Sequence, residues 1–215
     1  MRANILKRLR DDRGGVALIE FAIVLPIFTV IAMCGLELSY YALANNRVQR
    51  LAAMTGDLVA QSGTGSIGIG EGQIYDLFSA LDLTAKPFDL RNNGRVVITA
   101  IQGTAGSGGT TDNTIRWQRF DGGYVAAAPL VGCAQTATTA TLKDGRKLPL
   151  DEFMFHVQVS YKYQPLFSMA PMGFMNMPTD FVRTATYRAR SKDFLTPTPD
   201  SRFPPKYKCN SATGL

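Results

Sequence analysis

One stretch of this chain shows no alternation of apolar and polar positions at all. From Val16 to Leu36, 21 residues contain a single charge, Glu20, and no polar stripe. At about 1.5 Å per residue a helix of that length covers ~31 Å, the thickness of a bilayer's hydrocarbon core. A surface helix of a soluble domain keeps a polar side, whereas this one is apolar all round and too long for a buried core helix, so the pattern predicts a membrane span. Past Leu38 the pattern becomes amphipathic. Val48, Leu51 and Ala52, Thr55, then Leu58 and Val59 recur at helical spacing with polar residues between them and no proline. The prediction is one continuous helix from about 15 to about 61, roughly 70 Å long.

The glycine run Gly63 to Gly72 stops that helix. Gly63, Gly65 and Gly68 formally match a dinucleotide fingerprint, but a helix rather than a strand precedes them, and a flexible linker is the better interpretation. Ile74, Leu77, Phe78 and Leu81 then lie on one face of a short helix over about 71–82. Strand patterns follow at Arg95–Gln102, after the turn pair Asn93-Gly94, and at Thr114–Phe120. Gly103 to Asn113, rich in Gly, Ser and Thr, reads as a mobile loop between them, and Asp144-Gly145 is a hairpin signal. The longest alternation runs from Phe153 to Tyr163. It puts Phe153, Phe155, Val157, Val159, Tyr161 and Tyr163 on a core face and His156 on the polar one. Phe181–Arg190 is a last strand, and the tail 194–208, with Pro197, Pro199, Pro204 and Pro205, is extended and irregular.

Four strands with short returns beside a long helix predict an α+β fold: an N-terminal transmembrane helix packed on a small antiparallel sheet. The division expected is a cytoplasmic leader over 1–15, a transmembrane helix over 16–38, its extension over 39–62, and an extracytoplasmic α+β domain over 63–215. The apolar loop Met169–Met177 either rests on a membrane surface or partner, or caps the core.

Charge sets the orientation. Arg2, Lys7, Arg8, Arg10 and Arg13 precede the span, against Asp11 and Asp12, while Glu37 to Asn46 holds no Lys or Arg. Positive charge stays inside, so the N-terminus is cytoplasmic and the C-terminal domain lies across the inner (plasma) membrane. A secretory signal peptide is the competing interpretation. Its apolar run would be shorter, and no small-x-small cleavage site follows this one. The net charge of +6 is scattered without a block of like charges, which argues against a nucleic-acid partner.

Glu20 is the residue that most needs explaining, because a carboxylate inside a bilayer costs a few kcal/mol unless neutralised. Gly15-Val16-Ala17-Leu18-Ile19-Glu20-Phe21 resembles the prepilin-peptidase site of type IV pilins and pseudopilins. Its Glu20-Phe21 ending is similar to the variant of tight-adherence pili, in the TadE-like family. Gly14-Gly15, Pro26 and Gly35-Leu36-Glu37 fit that segment. Val157-Gln158-Val159-Ser160-Tyr161 followed by Pro165-Leu166-Phe167 also looks TadE-like or TadG-like. The resemblance implies cleavage between Gly15 and Val16 by a prepilin peptidase. It also implies a role for Glu20 and Phe21 in assembly with other pilins or pseudopilins and the pilus machinery. The new amine on Val16 and the Glu20 carboxylate would neutralise each other, by resemblance between subunits. The alternative is that Glu20 snorkels to the cytoplasmic interface of an unprocessed anchor. Glu37 stands near the outer interface, as a solvated helix-end residue or as a partner contact.

Catalytic signals are missing from the sequence. His156 is the sole histidine, no Cys-x-x-Cys is present, and Asp151 and Glu152 alternate to opposite faces at a strand start. No catalytic residue, cofactor site or metal site is assigned, and the chain is not expected to be an enzyme. Cys34 lies in the span, while Cys133 and Cys209 lie where oxidation is permitted. A disulfide between those two would tie the tail to the domain, worth ~3–4 kcal/mol. Two functions stay open: a minor pseudopilin-like protein of an adherence pilus, bound to inner-membrane lipid, or a single-pass anchored binding module or adhesin that is neither processed nor assembled.

Overall fold

A computed structural model describes residues 14–62, 68–167, 177–189 and 196–215. The leader cations Arg2, Lys7, Arg8, Arg10 and Arg13, glycines Gly63 and Gly65, Met169 to Asn176 of the apolar loop, and Arg190 fall outside those residues. The chain divides into two compact units. One comprises Met1–Ala42 with Pro165–Met177, and the other Leu43–Gln164 with Pro178–Leu215.

Helix α1 runs from Val16 to Gln61, as the periodicity predicts, and continues through Pro26. It is, among the described residues, the one helix long and apolar enough to cross a membrane. In the first unit the side chains from Val16 to Ile31 are all exposed, as lipid contact requires. Hydroxyls in this part fold back on the helix: Thr29 Oγ1 donates to the Leu25 carbonyl and Ser39 Oγ to that of Gly35, both at 2.8 Å.

In the second unit, the residues of α1 from Leu43 onward bury Ala44, Val48, Leu51, Ala52, Thr55, Val59 and Ala60, a stripe at the spacing of one helix face. Leu58, placed on that face by the sequence pattern, is 45% exposed, and Val59 fills the core instead. Gly56 sits against the strand Asp180–Arg188, where a Cβ would lie 2.5 Å from the Tyr187 ring, so close helix–sheet contact requires glycine there. Helix α2 spans Glu71–Ala85, and a single turn, α3, spans Leu90–Asn93 with Asp89 as its cap.

Four strands follow: β1 Gly94–Ala105, β2 Thr111–Asp121, β3 Phe153–Lys162 and β4 Asp180–Arg188. They form one antiparallel sheet in the order β2-β1-β3-β4. The run from Gly103 to Asn113 is not the long loop that its composition predicted. Pairing continues to Ala105 opposite Thr111. A tight turn closes it, with Gly108 and Gly109 at φ 71° and 78°, the left-handed region that glycine enters without steric cost. Asp144 and Gly145 also adopt positive φ, as the hairpin pair should, but no strand flanks them. They turn within an irregular segment over 122–152 that carries the chain from β2 past β1 to β3, so this return is long rather than short.

That irregular segment corrects a second expectation. The polar side of β3 does not face water: His156, Gln158 and Ser160 are as buried as Val157 and Val159. The irregular segment covers that face, adding Val131, Ala140, Leu142 and Leu148 to Ile101, Ile115 and Met154. Coil backbone taken from water needs partners, and side-chain amides supply them. Gln158 accepts from Leu130 N–H and donates to the Ala128 carbonyl, at 2.8 and 2.9 Å. Gln118 accepts from Ala134 N–H and donates to the Gly132 carbonyl. Asn113 accepts from Leu148 N–H and donates to the Arg146 carbonyl.

The tail is ordered by the same domain where it is described. Thr198 N–H donates to the Ile69 carbonyl and Glu71 N–H to that of Thr198. Lys206, almost fully buried, pairs with Asp121 and lies over the Tyr75 and Phe78 rings. Arg119 forms a buried ion pair with Glu71. Arg95, 1% exposed, donates to the Cys209 carbonyl and stacks on Phe120, with burial lowering its pKa.

Burial also pushes the His156 pKa below its ordinary 6.5. The unfolded chain therefore takes up this proton first, and folding holds the imidazole neutral. The resulting stability is fully present above pH ~6.5 and is lost as pH falls through that value toward the folded pKa. Denaturant unfolding of the full chain in detergent between pH 7.5 and 5.5 should show this loss, and His156→Gln should flatten it. An unchanged slope in the variant would mean that the imidazole is solvated.

Candidate processing and membrane-anchor site

The residues singled out at the N-terminus lie on one turn of backbone. Gly14 and Gly15 form a turn and Val16 begins α1. The Gly15 carbonyl accepts the N–H of Ile19 at 3.1 Å, so the Gly15–Val16 peptide already belongs to the helix cap. A Cβ at Gly15 would meet no atom within 4 Å. Among the described residues, no atom limits the size of a side chain at this position. Glu20 lies one turn beyond Val16, and Phe21 follows with 61% of its surface exposed. Glu20 is exposed and has no hydrogen-bond or ion-pair partner among the described residues. In lipid that leaves its charge to be met by a proton or by a group from outside the described residues.

Glu37 is different. It is fully buried, and its carboxylate accepts the N–H of Leu166 from both oxygens, at 3.3 and 3.0 Å, and that of Phe167 at 3.2 Å. Neither interpretation left open describes it: the carboxylate is buried rather than solvated, and the groups it meets are the chain's own Leu166 and Phe167. Sequence periodicity could not pair residues 129 positions apart. The hint available was a carboxylate at the end of an apolar run together with a proline-led apolar triplet that interrupts the β3–β4 connection.

Cys133 and Cys209 are joined as a disulfide, with Cα atoms 6.2 Å apart, next to the buried pair Val97 and Phe120. Cys34 is free and half-buried. The acidic neighbours Asp151 and Glu152 do not form a working pair. Asp151 accepts from Gln102 at 3.3 Å and Glu152 meets Arg188 at 3.0 Å. Among the described residues no cluster of His, Cys, Asp and Glu could hold a metal ion.

An N-terminal apolar helix with one carboxylate near its start fits a single-pass membrane anchor, and the four-stranded antiparallel sheet makes the fold α+β. The family model described as TadE-like protein matches residues 15–57, which contain Gly15, Val16, Glu20, Phe21, Glu37 and most of α1. The resemblance drawn from those residues is shown over that stretch. No curated protein and no solved structure matches the chain.

Two measurements test these contacts. Glu37→Ala takes the carboxylate acceptor from two N–H groups, those of the exposed Leu166 and the half-buried Phe167, and leaves them to water. Hydrogen exchange of the Leu166 and Phe167 amides should speed up by at least about tenfold in detergent, and Glu37→Gln, which keeps an acceptor, should restore most of the protection. Breaking the disulfide, whose cysteines are 76 residues apart, should lower unfolding stability by about 4 kcal/mol. Denaturation with and without dithiothreitol reads this, and alkylation of the non-reduced chain should label Cys34 alone.

Proposed function

We propose that this chain is a membrane-anchored, minor pseudopilin-like protein that takes part in assembling a tight-adherence pilus. The observation that carries the proposal is the TadE-like match over residues 15–57, centred on a carboxylate that the chain leaves unpartnered among its described residues. The chain does no chemistry of its own. A prepilin peptidase cleaves after Gly15, and the amine freed on Val16 becomes a cation in a low-dielectric setting. Glu20, on a neighbouring subunit or one turn away, is the anion that meets it. The low dielectric strengthens the attraction between the two charges, and leaving either one unpaired there is costly. Pilins or pseudopilins and the assembly machinery of the inner membrane are its partners. The N-terminal cations, set against the cation-free stretch from Glu37 to Asn46, support a cytoplasmic N-terminus and a C-terminal domain outside.

One observation favours a second reading, an unprocessed anchor for a binding module. The Gly15 carbonyl is engaged in the helix, and a protease must first pull that turn open. Intact mass of the protein from its native host separates the two. The proposal expects Val16 as the first residue, and a persistent Met1 refutes processing. Glu20→Ala should insert normally but abolish piliation, and normal pili in that variant would favour the anchor.

A further inference from the structure

Among the described residues, the outer edge of β2 is covered at two places and open between them. Ile115 N–H donates to the Thr138 carbonyl, and Phe120 N–H to the Lys206 carbonyl. Both point away from β1. Gln118, two residues before Phe120 in an unbroken stretch of register, directs its N–H to the same side. The strand bulges at Arg116, since Ala100 pairs with Trp117 and Ile101 with Ile115. Against this gap lies a cavity of about 350 Å³, walled by Arg116 to Arg119, Gln135 and Tyr207. That volume is at the small end of ligand sites, enough for a few residues of peptide.

The polar groups left over in this wall are of one kind. Arg116 is exposed and uses only Nε, on Gln102, so both Nη groups lack an acceptor among the described residues. Gln135 accepts from Cys209 N–H and keeps its NH₂. The Trp117 indole N–H is buried without an acceptor among the described residues, and Tyr207 is 47% exposed. The neighbouring polar groups are already satisfied. Arg119 is neutralised by Glu71, and the Gln118 amide is filled by Thr99, Gly132 and Ala134. A wall of spare donors calls for a ligand that accepts, and a guanidinium with both Nη groups available takes a carboxylate bidentately. The Gln118 N–H on an open strand edge adds a place for a peptide carbonyl.

We propose that this gap binds a short extended peptide carrying a carboxylate, supplied by a partner protein outside the membrane. Arg116 grips the carboxylate, Gln135 and Tyr207 donate to the remaining acceptors, and a peptide carbonyl accepts the Gln118 N–H, the Gln118 carbonyl being held by Arg119. The site is independent of leader cleavage and of Glu20, so it stands or falls apart from the pilus proposal.

Trp117 is the chain's single tryptophan, so its fluorescence reports on this wall without a label. The full chain in detergent is titrated with N-acetyl-Gly-Glu-Gly-amide, with the same peptide carrying Gln for Glu, and with glucuronate. A saturable fluorescence change with the Glu peptide is expected, with the Gln peptide at least about tenfold weaker, the order of one charge-assisted pair. Arg116→Gln should erase the difference between the peptides. A flat titration overturns the proposal, as does equal binding of the two peptides or tighter binding of glucuronate, the mark of a sugar site. The two-peptide comparison on the unaltered chain decides the matter even if the variant fails to fold.

Discussion

A backbone N–H or C=O withdrawn from water must find another partner, and both units of this protein are organised around that demand. Where the chain enters lipid, only a continuous helix supplies the partners from within, and α1 does so from Val16 onward, with hydroxyls folded back on the same helix. In the unit containing the sheet, an irregular segment of some thirty residues lies over a buried sheet face, where no ladder can serve it. Asn113, Gln118 and Gln158 serve it instead, each amide holding one N–H and one C=O of the coil. Replacing such an amide with an apolar residue of similar size would strand two backbone groups at once, which is why these positions are polar although they are buried.

Charges follow the same logic. Several in the sheet-bearing unit have partners within it: Glu71 pairs with Arg119 and Asp121 with Lys206, while Arg95 donates to the Cys209 carbonyl and lies over the face of Phe120, with its Nε and Nη1 left without an acceptor among the described residues. Glu37 is provided for by two amides of Leu166 and Phe167. Glu20 stands apart, exposed on the part of α1 that is apolar all round. Among the described residues it meets no hydrogen-bond or ion-pair partner.

The fold class and most elements were legible from the residues: α1, α2, and the cores of all four strands. What composition misjudged were the places where glycine and polar residues have two uses. The glycines of Gly103–Asn113 looked like slack but supply the positive φ of a tight turn. The polar half of β3 looked solvent-facing because alternation cannot say what covers the second face. Of the candidate site, Gly15, Val16, Glu20 and Phe21 were recognisable because their spacing is local. The Glu37 contact and the β2 edge were not, because each joins segments distant in sequence.

The sequence by itself determined that one helix is long and apolar enough to cross a membrane, that one carboxylate lies within it, and where the strands run. Each of these rests on length, periodicity or composition within a single segment. Tertiary structure alone decided that His156 and Gln158 are interior, that Glu37 is matched to Leu166 and Phe167, and that β2 keeps an open stretch of edge. Those outcomes depend on which distant residues arrive to exclude water, and hydrogen bonds between remote positions leave no periodic trace along a chain.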